Sequence, residues 1–132
     1  MQNEGLKSLQ GFFLSIMRIV VGFTYVAHGL QKALGLLGGK QVPLMSLMGV
    51  AGYLELIGGA LILVGLFTRP VAFVLSGEMA VAYFMQHAPN GLLPIVNQGE
   101  LAVLYCFIFL YLIFSGAGPV SLDYILSGGK KS

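Results

Sequence analysis

Charge is scarce in this sequence, and so is cysteine. Lysine, arginine, aspartate and glutamate make up 9% of 132 residues, against 57% hydrophobic residues and a mean hydropathy of +0.88. A soluble domain of this size needs more polar surface, so residues 1–132 read as a single compact membrane domain. A net charge of +2, with the basic residues scattered, argues against a nucleic-acid surface. The single cysteine, Cys106, excludes an internal disulfide and any dithiol chemistry carried by this chain alone. No haem or iron–sulfur ligand pattern is present, and no HxxxH or ExxH spacing supports a metal site around His28, His87 and the acids, so none is assigned. The first apolar run contains Arg18 and continues without a small-residue cleavage site, which argues against a signal peptide. No internal repeat or low-complexity tract is evident.

What the sequence has is apolar runs punctuated by glycine and proline. Runs of sufficient length fall at about residues 12–33, 49–67, 70–86 and 99–114, which predicts an all-α, four-helix transmembrane bundle. Breaks at Gly35, Gly38, Gly39 and Pro43, and at Pro89, Asn90, Gly91 and Pro94, leave two loops that stay apolar. Residues 68–70 predict a tight hairpin in which Thr68 or Arg69 caps the third helix. Bases flanking the runs number four on the side of the termini (Lys7, Arg69, Lys130, Lys131) against two on the other (Lys32, Lys40), which predicts cytoplasmic termini.

The organising stretch is AGYLELIGG, Ala51–Gly59, which sets Glu55 among apolar residues and glycines. A central acid opposes membrane insertion by about 2.5–3.5 kcal/mol, so Glu55 is expected to face the bundle interior, with glycines 52, 58 and 59 admitting neighbouring helices closely. On the first run Arg18, Tyr25 and Lys32 recur at intervals of seven beside Gly22 and Gly29, with His28 on the flank. The candidate buried polar cluster is therefore Arg18, His28, Lys32, Glu55, Glu78 and Glu100. Helix depth divides it into an inner layer, where Arg18 reaches Glu78 or Glu55, and an outer layer of Glu55, Glu100, His28 and Lys32. Tyr25, Tyr83, Phe107 and Tyr111 are candidates to line a ligand.

Each signal also has a plainer explanation. Arg18 can fix helix register through a salt bridge, His28 can hydrogen-bond across the bundle, Lys32 can snorkel, Cys106 can fill space, and the tyrosines can pack or anchor at the interface.

The blocks HGLQK (28–32), AGYLELIGG (51–59), GLFTRP (65–70), GEMAVAYF (77–84), NQGELAVLY (97–105) and GAGPVSLD (116–123) resemble the DoxX family of small four-helix integral membrane proteins. The resemblance implies a multi-pass protein of the bacterial inner membrane. It also implies association with quinone-linked or thiol-linked oxidoreductases through a protein partner, while oligomerisation is left open. Three functional expectations follow. In the first, the chain is a redox-associated subunit whose polar cluster binds a quinone-like group or relays protons, a partner supplying the electron chemistry. In the second, it is a non-catalytic scaffold or assembly factor for a partner complex. The third is a small-solute or proton transporter.

Overall fold

A computed structural model describes residues 3–130; Lys131, counted above among the flanking bases, lies outside the described residues. Those residues are helical with no strand, in the order α1 (Glu4–Leu34), α2 (Leu47–Val64), α3 (Thr68–Ala82), α4 (Pro94–Asn97), α5 (Glu100–Ser115) and α6 (Leu122–Leu126). Both α1 and α2 are long and apolar enough to cross a membrane, and α5 is a shorter apolar helix.

Local chemistry sets most of the ends. Asn3 caps α1 by accepting from Gly5 N–H, so the helix starts eight residues before the apolar run; Ser46 caps α2 by accepting from Gly49 N–H. Gly35 and Gly65 then close α1 and α2 in the left-handed conformation, at φ +66° and +70°. The α3 cap differs from expectation. Neither Thr68 nor Arg69 caps it; the carboxylate of Asp123, 55 residues further on, accepts from the backbone N–H groups of Phe67 and Thr68 at 2.8 and 2.9 Å. A negative group at a helix N-terminus satisfies open donors and complements the helix dipole, so Asp123 ties the C-terminal segment to the α2–α3 hairpin. At its other end α3 passes into a π-helical turn, Tyr83–His87, followed by a single 3-10 turn, Ala88–Asn90.

The four longer helices meet at unequal spacing. Helices α1 and α2 touch backbone to backbone: a Cβ on Gly22 would lie 2.6 Å from Leu63 Cα, and one on Gly29 would lie 2.6 Å from Leu56 Cα. The reverse holds for Gly59 against Val26 and Gly52 against Lys32. Two glycines seven residues apart on each helix thus form one seam, which a side chain at any of the four would force apart. By contrast, α1 meets α5 through rings: Tyr25 packs edge-on against Tyr105 and Phe109 at centroid separations of 5.1 and 5.0 Å. These rings, with Ile62, Leu75 and Leu112, form the core. Aromatic spacers on one side and glycine contact on the other leave room between the two helix pairs.

Replacing Gly29 with alanine should therefore lower stability by about 1–3 kcal/mol through overpacking. Gly77 is also mid-helix, but an added Cβ meets nothing within 4 Å there, so Gly77→Ala should be neutral or stabilising by up to about 1 kcal/mol. Thermal unfolding of both variants in detergent micelles checks the contrast.

Candidate functional site

The room between the helix pairs is a cavity of about 600 Å³ near the end carrying the α1–α2 loop and the π-helical turn. Its walls are mostly apolar, from Met48, Leu54, Val81, Met85 and Leu101 among others, and into them project Tyr25, His28, Lys32, Glu55, Glu78, His87 and Tyr105. That composition, apolar walls with a few convergent polar groups, is typical of small-molecule sites.

Glu55 is the most enclosed of its acids, 2% exposed. It reaches the interior because the α1–α2 seam turns its face of α2 inward, between Gly52 and Gly59. One carboxylate oxygen, Oε1, accepts from Lys32 Nζ at 2.6 Å. Lys32 lies one turn beyond Gly29 on the same helix, so the seam that brings the backbones together also delivers the cation to the acid. On α3, Glu78 Oε2 accepts a hydrogen bond from the Tyr25 hydroxyl at 2.9 Å. Each carboxylate has one oxygen tied down. The other two, Glu55 Oε2 and Glu78 Oε1, are buried without a hydrogen-bond partner.

The remaining groups frame these acids. Tyr105 donates to Thr24 Oγ1 at 2.7 Å, and its ring faces His28 edge-on at 6.1 Å. His28 is half-buried and makes no hydrogen bond within the described residues. Past α3, the π-helical turn adds a residue to the helical circuit; His87 lies on the cavity wall, its Nδ1 3.1 Å from the Asn97 carbonyl. Asn97 holds this loop through bonds to the Gly91 carbonyl, the Tyr83 hydroxyl and Gly99 N–H.

The structure therefore brings together His28, Lys32, Glu55 and Glu78 from the expected cluster, with Tyr25 from the expected lining. Arg18 and Glu100 are corrections. Arg18 is fully buried, yet it pairs with neither Glu55 nor Glu78: its guanidinium donates to the carbonyls of Ala117 and Val120 at 2.7 and 2.6 Å, at the far end of the molecule. The GAGPVSLD segment, bent by left-handed Gly116 and Gly118, turns those carbonyls inward, and Gly65 leaves the space the guanidinium fills. Glu100 is exposed in the first turn of α5, where an acid complements the helix dipole. The buried face of α5 is Ala102, Tyr105, Phe109 and Leu112, and at 100° per residue Glu100 stands about 140° from Tyr105.

The rotation of α5 also removes Phe107 and Tyr111 from the lining; they are 63% and 58% exposed on the outer surface. Tyr83 does not line the cavity either, since its hydroxyl donates to the Leu92 carbonyl at 3.1 Å. Two further residues line the cavity: Tyr105, which the sequence offers only as one of several tyrosines able to hydrogen-bond a quinone or an acid, and His87. The small-aromatic stripe Ala102-Tyr105-Phe109 pointed to the first, whereas His87 depends on a π-helical turn that hydrophobic periodicity does not reveal. Cys106 faces the α3–α5 contact, where Ser76 Oγ donates to its carbonyl at 2.9 Å.

Removing the cation alone, as Lys32→Met, leaves a buried carboxylate uncompensated and should cost about 3 kcal/mol. Adding Glu55→Gln should recover most of that loss. A double-mutant cycle measured by unfolding in detergent should give a coupling of about 1–3 kcal/mol for Lys32 with Glu55, and additivity within about 0.5 kcal/mol for Arg18 with Glu55.

Comparison with known proteins agrees with the composition of these elements. An uncharacterized protein of Haemophilus influenzae is 44% identical over 127 residues, covering 91% of this chain and 95% of its own. The "Putative oxidoreductase CatD" of Bacillus subtilis is 29% identical over 122 residues, 89% of each chain. No solved structure matches. The DoxX family profile matches residues 13–88, from the N-terminal half of α1 through the π-helical turn, and the chain belongs to the DoxX family.

Proposed function

We propose that the chain is a redox-associated membrane subunit whose cavity binds a quinone-like ring and exchanges protons with it. In this reading α1, α2, α3 with its π-helical extension, and α5 all cross the inner membrane, both termini are cytoplasmic, and a protein partner holds the two-electron donor. The observation that carries the proposal is a mostly apolar cavity of about 600 Å³ lined by two acids, Glu55 and Glu78, each of which keeps one buried carboxylate oxygen without a hydrogen-bond partner. The reduced ring carries two O–H donors for two such acids, and the oxidised ring offers a carbonyl acceptor to a protonated Glu78. The relative from Bacillus subtilis with oxidoreductase in its name supports a redox association.

A bound quinone would supply a couple that takes up two electrons and two protons. This chain's residues would position the ring and handle the protons. A carboxyl group at Glu78 donates through Oε1 to a ring carbonyl when it holds a proton, and accepts from a ring hydroxyl when it does not. Tyr25 fixes the orientation of that carboxyl through Oε2. Lys32 holds the Glu55 carboxylate in the wall, so Glu55 Oε2 serves as an acceptor at a fixed position. His28, free of other hydrogen bonds and half-buried at the cavity edge, is suited to pass protons between the cavity and the aqueous side.

The scaffold reading has one specific observation in its favour: the glycine seam and the Lys32–Glu55 pair together fix helix register, and the loop residues Met45, Leu92 and Ile95 are strongly exposed. Transport gains no comparable support, because the polar lining belongs to one end and the other is closed around Arg18.

Thermal unfolding of the purified protein with a tail-less dimethoxy-methyl-benzoquinone tests the proposal. Binding at a hundredfold excess over Kd should stabilise the wild type by about 2.7 kcal/mol, and Glu78→Leu with Tyr25→Phe, which removes the donor and the hydroxyl that would be left unpaired, should abolish most of that gain while the protein remains folded. No stabilisation of the wild type at millimolar quinone would overturn it and leave the scaffold reading.

A further inference from the structure

A second hollow lies on the outer surface between α2 and α3, with a volume of about 480 Å³. It runs beside Tyr53, Ile57 and Leu61 of α2 and Pro70, Val71 and Val74 of α3, and its lining carries no charged or amide side chain. Its floor is closed where Gly58 admits the Leu75 side chain, whose Cδ2 would be 2.8 Å from a Cβ at Gly58. Val50, Leu54 and Val74 line both this groove and the polar cavity, so the two adjoin across these side chains. Those three residues are also exposed, so the boundary between the two hollows lies at the outer surface between the helices.

From this adjacency at the outer surface we infer that the groove seats the apolar tail of the same ligand whose ring occupies the cavity. The inference rests on the proposed ring-binding role and adds that the ligand is a single-tailed amphiphile admitted sideways from the lipid. Three features select that occupant. The groove adjoins the polar cavity at Val50, Leu54 and Val74 and extends from there along the helices to Leu61 and Pro70, so a head in the cavity sets a tail beside the groove. From Val50 to Leu61 it follows α2 for about 16 Å at 1.5 Å per residue, a chain-like length rather than a second ring-sized pocket. The head end is anchored by Glu55, an acid that is 2% exposed, lines the cavity and has one oxygen without a hydrogen-bond partner.

Lipid tails are as apolar as the groove, so seating there adds little net affinity in a bilayer. What the groove supplies is orientation, holding the ring at one rotation relative to Glu55 and Glu78. The measurement must accordingly read location rather than affinity.

The probe is a benzoquinone with a decyl chain carrying a photoreactive diazirine near its middle, added to the full chain in phosphatidylcholine vesicles, with adducts mapped by mass spectrometry. Adducts should concentrate on Ile57, Leu61 and Val71, and fall roughly tenfold when tail-less quinone is present at ten times its Kd. Ile57→Trp, which fills the groove without touching the cavity, should remove them from Leu61 and Val71. Adducts that compete but map to the outer faces of α1 or α5 would overturn the groove and leave ring binding intact. Adducts in the groove or elsewhere that do not compete, as for a lipid analogue dissolved in the bilayer, would overturn ring binding and the groove with it.

Discussion

The close approach of α1 and α2 is the constraint on which the remaining geometry depends. Four glycines, two on each helix, bring the backbones together and allow Lys32 to meet Glu55 inside the protein. Burying a carboxylate without a cation costs several kcal/mol, and a long lysine side chain can neutralise it only if its helix is near and in register. The glycines provide nearness; the shared spacing of seven residues provides register. Seam and ion pair support each other, since either alone would leave α2 with an unsatisfied acid or α1 with an unsatisfied base.

With that pair of helices fixed, the cavity follows from the sizes of the other side chains. Three stacked or edge-on rings, Tyr25, Tyr105 and Phe109, stand between α5 and α1, and in the α2–α3 hairpin the Leu75 side chain seats on Gly58. The opposite end has no such spacers. There the Arg18 guanidinium, two backbone carbonyls, and Asp123 capping α3 draw the C-terminal segment over the helix ends. One end of the molecule is thus tied by polar groups that satisfy backbone, while the other gathers its polar side chains along the cavity wall.

How much of this could be read from the sequence depended on whether the partner was a side chain or a backbone. The inward turn of Glu55 and the role of Gly52, Gly58 and Gly59 followed from the cost of an acid in lipid and the need for small residues at helix contacts, and both are found in the structure. Arg18 was assigned a carboxylate because charge pairing is visible in a sequence and carbonyl orientation is not; its partners at Ala117 and Val120 depend on left-handed glycines in a segment with no charge at those positions. The same blindness hid Asp123, which acts on backbone N–H groups 55 residues away. Glu100 failed for another reason. The helical face was drawn from the acid, and on a helix apolar all round an acid at the N-terminus is a poor marker of the inside, so Phe107 and Tyr111 were misplaced with it.

Whether the buried acids are there for architecture or for a ligand turns on their second oxygens. An ion pair selected only to hold two helices gains from having every lone pair met, since a buried acceptor left open costs about 1–3 kcal/mol. Arg18 Nε and Thr68 Oγ1 are also buried without partners, so openness alone does not mark a site. Those two atoms belong to residues that line neither hollow, whereas Glu55 and Glu78 both line the cavity. Each is also held by a different kind of donor, an ammonium for one and a phenol for the other, on its far oxygen. Two acids from different helices, each fixed through one oxygen and both lining a common cavity, carry a structural role through the tied oxygens and leave a second pair whose hydrogen bonds no group of the protein supplies.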